Sequence, residues 1–368
     1  MVDLLDLGWD ADWEKAFGPH RADGLIPGRV ATEDRQAFAV VTELGELPAR
    51  IAGRMIQAID STEAWPKVGD WVAVAAKPVP SRSVLHHVLP RRTTLIRKAA
   101  GRETAPQVLA TNVDTAFIVQ ALDQTFNARR LERFLVMVHE GGSQAVVVLN
   151  KADLADDLEA RVAEARVSAG AVPVVTVSAR TRRGLGELRA FLRQGRTCVF
   201  VGTSGVGKSS LINRLYGEAV QATLDVREED GKGRHTTTWR ELILLPGGGL
   251  VIDTPGMREF HLWMADGGLS EAFPDVAELA LKCHFRACSH LKEERCAVRA
   301  AVTSGRLSPE RFEAFRKLRG ELDYLAQERR EHTYAQRRRQ ARGRRRSAME
   351  ATLDSGGWGD RTRGPSTG

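Results

Sequence analysis

Short β-rich runs separated by turn signals dominate residues 25–98. The runs read GRVATED, AFAVVTELGELPARI, WPKVGDWVAVAAKP and SVLHHVLP, with Gly and Pro between them. Strands at this spacing predict a small antiparallel barrel, with a sandwich-like sheet as the alternative. A five-stranded barrel of the OB type fits the length and would offer a face for nucleic acid, although a fold by itself does not establish a function.

The hydrophobic pattern changes near residue 110. Fully apolar runs (VDTAFIVQAL, QAVVVLN, VPVVTVSA, TCVFVG) alternate with helix-like segments (ARRLERFLVMVHEGG, DLEARVAEARVSAG, GLGELRAFLRQG). Apolar strands that alternate with amphipathic helices predict a parallel sheet covered on both faces, and therefore an α/β domain. The stretch ELILLPGGGLVIDTPG adds two predicted strands joined at a Gly-rich turn, and the α/β unit ends near residue 262.

Helical patterns surround a Cys/His cluster after residue 270, and a long charged helix is predicted over 308–340. The final residues, DSGGWGDRTRGPSTG, have the composition of a disordered tail. The predicted organisation is an N-terminal extension (1–24), the OB-type barrel (25–98), the α/β domain (99–268), a small α-helical metal-binding domain (269–340) and a basic, disordered tail (341–368).

The composition is that of an ordinary soluble protein, but its charge is unevenly distributed. Of the 368 residues, 42% are hydrophobic and 27% are charged, and the formal net charge is +7. No apolar run approaches the ~20 residues that span a bilayer, and the N-terminus does not resemble a secretory signal, so we expect a cytoplasmic protein outside the membrane. Arginines concentrate in 316–346. A solvated helix or tail and a phosphate-binding segment explain that run equally well.

A phosphate-binding loop is predicted at GTSGVGKSS, between the strand TCVFV and the helix SSLINRLYG. Glycines let successive backbone N–H groups point at phosphates, and the helix N-terminus adds partial positive charge. Lys208 is expected to reach the β- and γ-phosphates as a catalytic group, and the Ser209 hydroxyl to bind magnesium. The nucleotide-binding residues predicted in this loop are Gly202, Thr203, Ser204, Gly205, Val206, Gly207, Lys208, Ser209 and Ser210.

Two further segments follow the phosphate loop. DTPG ends the apolar strand GLVID, and its Asp253 is placed to hold magnesium through water, with a simple turn as the alternative. EEDGKGRHTTTWREL is polar and aperiodic, as in a switch loop that is ordered by the γ-phosphate and magnesium. We expect Thr237 to complete the metal shell, with Thr236 and Thr238 as rivals; a mobile loop is the alternative.

The motif NKAD at 150–153 predicts recognition of guanine. The Asp153 carboxylate can accept two hydrogen bonds from guanine, and adenine has no donors there. Asn150 can brace neighbouring loops, and Lys151 can lie over the base. A backbone N–H of the SAR segment at 178–180 can meet the guanine carbonyl. The remaining base-loop residues in the prediction are Ala152, Ser178 and Ala179.

The base and phosphate loops each follow a buried strand, so they meet at the carboxyl edge of one parallel sheet, where such folds bind ligands. The predicted ligands are GTP and GDP with Mg²⁺. The order is permuted, because NKAD precedes the phosphate loop. The chain therefore runs from DTPGMREFHLW directly into the C-terminal domain, which offers a direct route for transmitting the nucleotide state.

The segment KCHFRACSHLKEERCAV carries the candidate metal ligands Cys283, Cys288, His290 and Cys296. Three thiolates and an imidazole make a closed tetrahedral site, so one structural zinc ion is predicted. His284 is a possible competitor, and reduced cysteines in a helical core are the alternative. The fourth cysteine, Cys198, lies in an apolar run and is expected in a buried strand.

These motifs together resemble the ribosome small-subunit-dependent GTPase A family, the RsgA/YjeQ-type circularly permuted GTPases, over roughly residues 25–330. The resemblance implies an OB domain, a central GTPase and a zinc domain. It also implies slow GTP hydrolysis stimulated by the small ribosomal subunit and a role late in maturation of that subunit. The family's nucleotide residues correspond to Asn150, Lys151, Asp153, Gly202, Lys208 and Ser209, and its zinc ligands to the four residues above. The basic extension beyond residue 335 lies outside the resemblance.

The motifs do not identify the residue that positions the attacking water. In Ras-like GTPases a glutamine follows the DxxG glycine; here Met257 stands there and cannot orient water, so slow intrinsic hydrolysis is expected. His235 is the candidate, against a purely structural histidine. We expect an assembly factor that is monomeric when free and docks on rRNA through its barrel, zinc domain and basic helix. The rivals are a GTP-regulated switch of another pathway and an RNA-binding module with a vestigial nucleotide site.

Overall fold

The computed structural model describes residues 2–34, 37–59, 61–78, 81–99, 105–217, 240–246, 248–254, 262–263, 267–328 and 330. The chain divides into two compact units, Met1–Leu322 and Asp323–Gly368. In the second unit, residues 323–328 are helical. The predictions for His235, Thr236, Thr237, Thr238, Met257 and the tail after 340 lie outside the described residues.

Five strands close into the predicted barrel. Neighbouring strands pair antiparallel except β3 and β5, which pair in parallel, and the β1–β4 pairing closes the ring in the order β1-β2-β3-β5-β4. This confirms the OB-type barrel and excludes the sandwich-like sheet. The strands are β1 (Ile26–Asp34), β2 (Ala37–Thr42), β3 (Gly45–Ile51), β4 (Trp71–Ala75) and β5 (Ser83–Val88). The residues at the centre of the barrel are Val30, Phe38, Val40, Ala49, Ile51, Val72, Val74 and Leu85.

The α/β part contains the expected parallel sheet. Its order is β10-β9-β8-β11-β13-β12, parallel except for β12, and a single bridge between Thr32 and Glu241 joins it to the barrel. The strands are β8 (Thr115–Ala121), β9 (Gln144–Asn150), β10 (Val174–Thr176), β11 (Thr197–Val201), β12 (Glu241–Leu244) and β13 (Leu250–Asp253). Two more strands, β6 (Thr94–Lys98) and β7 (Pro106–Thr111), form a separate antiparallel pair.

Helices cover the sheet and build the C-terminal part. They are α1 (Ala11–Arg21), α2 (Gly53–Ala58), α3 (Ala128–Glu140), α4 (Leu158–Ala169), α5 (Leu185–Arg189), α6 (Lys208–Tyr216), α7 (Gly268–Ala272), α8 (Pro274–Ala280) and α9 (Ala297–Thr303), with 3₁₀ turns at Thr62–Ala64 and Ala152–Leu154. Residues 309–322 are also helical. A helix forms in GLGELRAFLRQG as predicted, but it is shorter than expected: α5 ends at Arg189, and Phe191 and Leu192 after it pack against the core.

The N-terminal extension is built into the fold. Asp10 caps α1 by accepting hydrogen bonds from the N–H groups of Asp12 and Trp13. The ring of Phe17 is fully buried, and Trp9 meets Trp71 of the barrel edge-to-face at 4.7 Å between ring centroids. Burying aromatic rings in this way stabilises the contact by both apolar area and ring geometry. The buried side chains of this extension, Leu4, Leu7, Trp13 and Phe17, therefore belong to the core beside the barrel.

Across the part of the chain that the structure describes, none of the helices combines the length and the apolar character needed to cross a bilayer.

Candidate nucleotide site and metal centre

Three loops that follow parallel strands meet at one edge of the sheet. The base loop follows β9, the SAR segment follows β10, and the phosphate loop follows β11; Asp253 is the last residue of β13. Because β8, β9, β10, β11 and β13 are parallel, their carboxyl ends share this edge. The described residues of the predicted nucleotide site are thus collected in one place.

Asn150 links the three loops. Its side chain is 1% exposed; Nδ2 donates to the carbonyl of Val206 at 2.9 Å, and Oδ1 accepts from the N–H of Ala179 at 3.1 Å. A buried amide with both ends satisfied holds its neighbours in a defined arrangement. Asn150 therefore sets the spacing between the base loop, the SAR segment and the phosphate loop.

At two positions of the phosphate loop, only glycine can be accommodated. Gly207 has φ +93° and directly precedes α6; a Cβ there would lie 2.3 Å from Nδ2 of Asn150. A Cβ on Gly202 would lie 2.5 Å from the carbonyl oxygen of Val119. The loop is thereby held close to β8 and β9. The N-terminus of α6, with Ser209 and Ser210 exposed in its first turn, then points free N–H groups at this edge of the sheet.

Lys208 lies under the phosphate loop. Its ammonium donates to the carbonyls of Gly202 and Thr203, both at 3.0 Å, and the residue is 6% exposed. Burial lowers the pKa of Lys208 to about 8, and the carboxylate of the buried Asp253 partly opposes that shift. A lysine and an aspartate are therefore brought together at the end of β13, where a phosphate and its magnesium require them.

Asp153 is held as a carboxylate in the base loop. The hydroxyl of Ser178 donates to its Oδ1 at 2.5 Å, and the guanidinium of Arg180 lies 2.8 Å from Oδ2. The Ser178 hydrogen bond is the main cause that lowers the pKa of Asp153 below its ordinary value, and the Arg180 charge adds to it. Ala152 begins a 3₁₀ turn, and its N–H donates to the carbonyl of Val177 at 3.1 Å. The turn fixes the position of the carboxylate.

Lys151 has a partner that the motif did not indicate. Its backbone is left-handed at φ +62°, and its ammonium lies 2.9 Å from Oδ2 of Asp123. Burial alone would raise the pKa of Asp123, but the Thr125 hydroxyl and the Lys151 ammonium lower it to about 2. Asp123 follows β8 at the same sheet edge, and this position after a predicted strand is the feature of the sequence from which its place in the site could have been inferred. The ion pair anchors the ammonium end of Lys151 beside the base loop.

The four predicted metal ligands converge. The ligand atoms of Cys283, Cys288, His290 and Cys296 all lie within 4.8 Å of one another. The two sulfurs of Cys283 and Cys296 are 3.9 Å apart, and Nδ1 of His290 is 3.4 Å from the Cys296 sulfur. Tetrahedral zinc with Zn–S bonds of about 2.3 Å separates two sulfurs by about 3.8 Å. The donor set and its spacing fit a structural zinc ion.

The rest of this segment supports that cluster. His290 has a left-handed backbone at φ +61°, which turns its ring inward, and the N–H of Arg299 donates to the Cys296 sulfur at 3.5 Å. His284, the possible competitor, is exposed and lies outside the group of converging ligands found among the described residues. Cys198 is buried in β11, and burial raises the pKa of its thiol to about 12.

Arg311, which the sequence pattern did not single out, joins the C-terminal helices to the α/β part. It is 8% exposed and donates to Asp275 at 3.2 Å and to the carbonyl of Ala272 at 2.8 Å. Its Nη1 also lies 3.6 Å from Oε1 of Glu132 on α3, and its guanidinium lies 4.0 Å from the ring centre of Phe273. A single cation thus connects α3, α7 and α8.

A parallel sheet with a glycine-rich phosphate loop, a base loop earlier in the chain, an OB-type barrel and a Cys₃His cluster defines a circularly permuted P-loop GTPase. The RsgA GTPase family model matches residues 88–263. Over 332 residues the chain is 46% identical to the small ribosomal subunit biogenesis GTPase RsgA of Opitutus terrae, an alignment that covers 88% of this chain and 90% of that protein. The chain belongs to the RsgA family of GTPases.

Two solved structures are similar to this fold. The crystal structure of YjeQ from Thermotoga maritima has a TM-score of 0.62 and 27% identity, and the match covers 81% of this chain and 98% of that one. YloQ, described as a circularly permuted GTPase, has a TM-score of 0.57 and 28% identity, with 81% and 95% covered. Family membership makes this chain an enzyme that hydrolyses GTP, with GTP and GDP as its nucleotides and Mg²⁺ as the accompanying ion.

Proposed function

We propose that this GTPase acts in late maturation of the small ribosomal subunit, that it binds rRNA there, and that the subunit stimulates its hydrolysis of GTP. One observation carries the proposal. The chain that holds the Asn150-linked nucleotide site aligns with 90% of a relative named small ribosomal subunit biogenesis GTPase RsgA. The OB-type barrel supplies a surface suited to RNA, and the sequence 316–346 is rich in arginine, the residue type that binds phosphate backbones. We propose further that the protein is cytoplasmic and monomeric when free.

In the proposed nucleotide site, Asp153 accepts the two guanine donors and Lys151 covers the base. The N–H of Ala179 already donates to Asn150. Among the described hydrogen bonds of the SAR segment, the backbone N–H of Arg180 has no acceptor, so we assign contact with the guanine carbonyl to Arg180. A base that cannot use these groups leaves Asp153 unpaired, which is the physical basis of discrimination.

The phosphates lie against the loop from Gly202 to Ser210, with Lys208 on the β- and γ-phosphates. Ser209, Asp253 and Thr237 hold magnesium in this proposal, and His235 orients the attacking water. Met257 stands where Ras-like enzymes place a glutamine, so hydrolysis is slow without the subunit.

One structural zinc ion binds at the Cys₃His cluster formed by Cys283, Cys288, His290 and Cys296. The proposed functional boundaries are an N-terminal extension (1–24), a barrel (25–98), a GTPase domain (99–268), a zinc domain (269–340) and a tail (341–368). Because the chain passes from the end of β13 into the zinc domain, the nucleotide state can bias that domain directly.

The deciding experiment measures GTP turnover by the purified protein alone, with small subunits and with large subunits. We expect slow turnover alone, stimulation by small subunits, and none by large subunits. Binding to small subunits, measured by co-sedimentation, should fall steeply with salt because arginine–phosphate contacts release counterions. A GTP-regulated switch of another pathway predicts equal turnover in all three samples, and that result would refute the proposal.

A second experiment tests whether His235 orients the attacking water. His235→Ala should abolish stimulated turnover while leaving GTP affinity, measured with a fluorescent analogue, unchanged. His20→Ala on α1 is the matched control. Full stimulated turnover in the His235→Ala variant would show that His235 does not orient the water. The proposed role in maturation of the small subunit would still stand.

A further inference from the structure

Asp123 stands beside the base loop, although 28 positions separate it from Lys151 in the chain. Strand β8 ends at Ala121, and the next residue, Leu122, donates its N–H to the carbonyl of Asn150 at 2.8 Å. This hydrogen bond joins the end of β8 to the first residue of NKAD. The carboxylate that follows therefore lies at the edge of the sheet that carries the proposed nucleotide site.

The carboxylate of Asp123 is fixed by the turn that follows it. Its Oδ1 accepts from the N–H of Thr125 at 2.9 Å and from the hydroxyl of the same residue at 2.5 Å. The backbone carbonyl of Asp123 accepts from the N–H of Phe126 at 3.1 Å, and the side chain of Asn127 then caps α3. An aspartate that bonds to the backbone two residues onward holds a turn of this kind. The other oxygen, Oδ2, meets Lys151.

Lys151 is restrained both by this contact and by its own backbone. Its ammonium lies 2.9 Å from Oδ2 of Asp123, and its backbone is left-handed at φ +62°, a conformation that non-glycine residues adopt at some cost. A free lysine side chain has many rotamers, and a ligand that immobilises it must offset that loss of freedom. A lysine that is already restrained binds its ligand with a smaller loss.

Asp123 holds Lys151 independently of the carboxylate that is proposed to read the base. The two oxygens of Asp153 meet Ser178 and Arg180. Neither contact involves Asp123, so loss of the Asp123 charge leaves the hydrogen bonds of Asp153 in place. Burial would raise the pKa of Asp123, but its hydrogen bonds and the neighbouring ammonium lower it to about 2, so the ion pair is charged at neutral pH.

We infer that Asp123 is a positioning residue of the nucleotide site: it holds Lys151 over the face of the purine and thereby raises the affinity for guanine nucleotides. This inference rests on the proposed nucleotide site. Lys151 covers the face of the base, which guanine and hypoxanthine share, whereas Asp153 meets the edge, where only guanine of these two has an exocyclic amine. Asp123 therefore sets how tightly a nucleotide binds and not which base is chosen.

The test uses the full-length protein and two nucleotides, GDP and inosine diphosphate, each in competition with a fluorescent GDP analogue. Dissociation constants are compared for the wild type, Asp123→Asn, Lys151→Met and the double variant. In Asp123→Asn the amide oxygen can still accept from Thr125, so the turn is kept while the charge is lost. Lys151→Met keeps an apolar side chain but cannot form the ion pair.

Glu164→Gln is the matched control. It removes a carboxylate from an exposed ion pair on α4, where Glu164 lies 3.3 Å from Arg161, outside the proposed nucleotide site. Its affinity for both nucleotides should equal that of the wild type. A loss in the control as large as that in Asp123→Asn would show that the effect is not specific to Asp123 and would overturn the inference.

Asp123→Asn should bind GDP roughly three- to tenfold more weakly, the effect expected when one restrained side chain is released. The double variant should bind within about twofold of Lys151→Met, since the aspartate acts through the lysine. The preference for GDP over inosine diphosphate should be the same in Asp123→Asn as in the wild type. A purely structural role of the turn would instead give the same loss whether or not Lys151 is present.

Three results would each overturn the inference: wild-type affinity in Asp123→Asn or in Lys151→Met, a full additional loss in the double variant, or a changed preference between the two bases in Asp123→Asn. A wild type that binds neither nucleotide would refute the proposed nucleotide site and the inference with it. Failure of the proposed role on the ribosome appears separately, as absence of stimulation by small subunits in the wild type.

Discussion

The side-chain amide of Asn150 donates to the carbonyl of Val206 at 2.9 Å, and this single hydrogen bond ties the base loop to the phosphate loop. The two residues stand 56 positions apart in the chain. A permuted order of loops does not disturb their contact, because strands β9 and β11 end at the same edge of the sheet. The contact makes the packing around Asn150 sensitive to one methyl group.

Gly207→Ala should weaken nucleotide binding. The new Cβ would lie 2.3 Å from Nδ2 of Asn150, so the amide must move and the hydrogen bond to Val206 breaks. A left-handed backbone at φ +93° adds about 1 kcal/mol or more of strain. Titration with a fluorescent GDP analogue should show at least a tenfold loss of affinity.

Gly205→Ala is the matched control for that experiment. Gly205 has a similar φ of +83°, but its added Cβ meets nothing within 4 Å. The variant therefore carries the backbone strain without the clash, and it should retain most of the affinity. Equal losses in the two variants would show that backbone strain, and not the contact with Asn150, limits binding.

Asp153→Asn should change base selectivity. The substitution replaces one acceptor oxygen with an NH₂ donor, which opposes the exocyclic amine of guanine and matches the carbonyl that xanthine has there. Each hydrogen bond to a charged group contributes about 1.5–3 kcal/mol, so GTP affinity should fall by roughly 100-fold. Competition titrations with GTP and xanthosine triphosphate measure the change. An unchanged preference for GTP would remove Asp153 from base recognition.

The sheet and the barrel could be predicted from the sequence because hydrophobic periodicity reports burial directly. Fully apolar runs became β8, β9 and β11, and the turn-punctuated runs of residues 25–98 became the barrel. The role of the N-terminus could not be predicted in the same way. Trp9 packs between the buried ring of Phe17 and Trp71 of the barrel, and the surface around Trp71 exists only after the barrel closes.

The loops of the nucleotide site could also be predicted, since each is a local motif in a recognisable strand–loop setting. Their supporting contacts could not, because the partners are distant in the chain. Asp123 pairs with Lys151 across 28 residues, and Arg214 holds Ala179 across 35. Local patterns carry no information about which distant side chain will complete such a pair.

Lys208 should make stability depend on pH in the alkaline range. Its pKa is about 8 in the folded protein against an ordinary value of 10.5. Between these values the unfolded chain still binds the proton while the folded protein has released it. The free energy of unfolding therefore rises as pH increases from about 8 to 10.5, and this gain is lost as pH falls back through 8. Conversion of the shift gives a change of about 3 kcal/mol at most. Urea unfolding measured between pH 7.5 and 10.5 checks this. In Lys208→Met the urea midpoint should not rise with pH over this range, while in the exposed Lys282→Met it should rise as in the wild type.

The Cys₃His cluster should contain zinc that supports the fold and not the nucleotide site. Elemental analysis of the purified protein is expected to give one zinc per chain. Cys288→Ser should release the ion and lower the thermal midpoint, because closed tetrahedral sites contribute folding energy. GDP affinity should be unaffected. Cys198→Ala is the control and should keep its zinc; a wild type purified without metal would end the zinc assignment.

Arg311→Met should destabilise the protein most at neutral and alkaline pH. Arg311 is the cation beside Glu132, and the side chains of both residues are 7% exposed. Burial already raises the pKa of Glu132, and Arg311 opposes that rise. Loss of the arginine leaves a buried carboxylate unpaired, which costs about 3–5 kcal/mol.

The pH dependence identifies Glu132 as the source of that loss. A carboxyl whose folded pKa is raised destabilises the protein above that pKa, and the penalty disappears as pH falls and the group binds a proton. The difference in urea midpoint between the wild type and Arg311→Met should therefore shrink from pH 8 to pH 5. Glu132→Gln/Arg311→Met, which has no buried charge, should recover part of the stability at pH 8 and show little pH dependence. If the double variant is as unstable as Arg311→Met at pH 8, the loss comes from the contacts of Arg311 with Asp275 and Phe273, and not from the unpaired carboxylate.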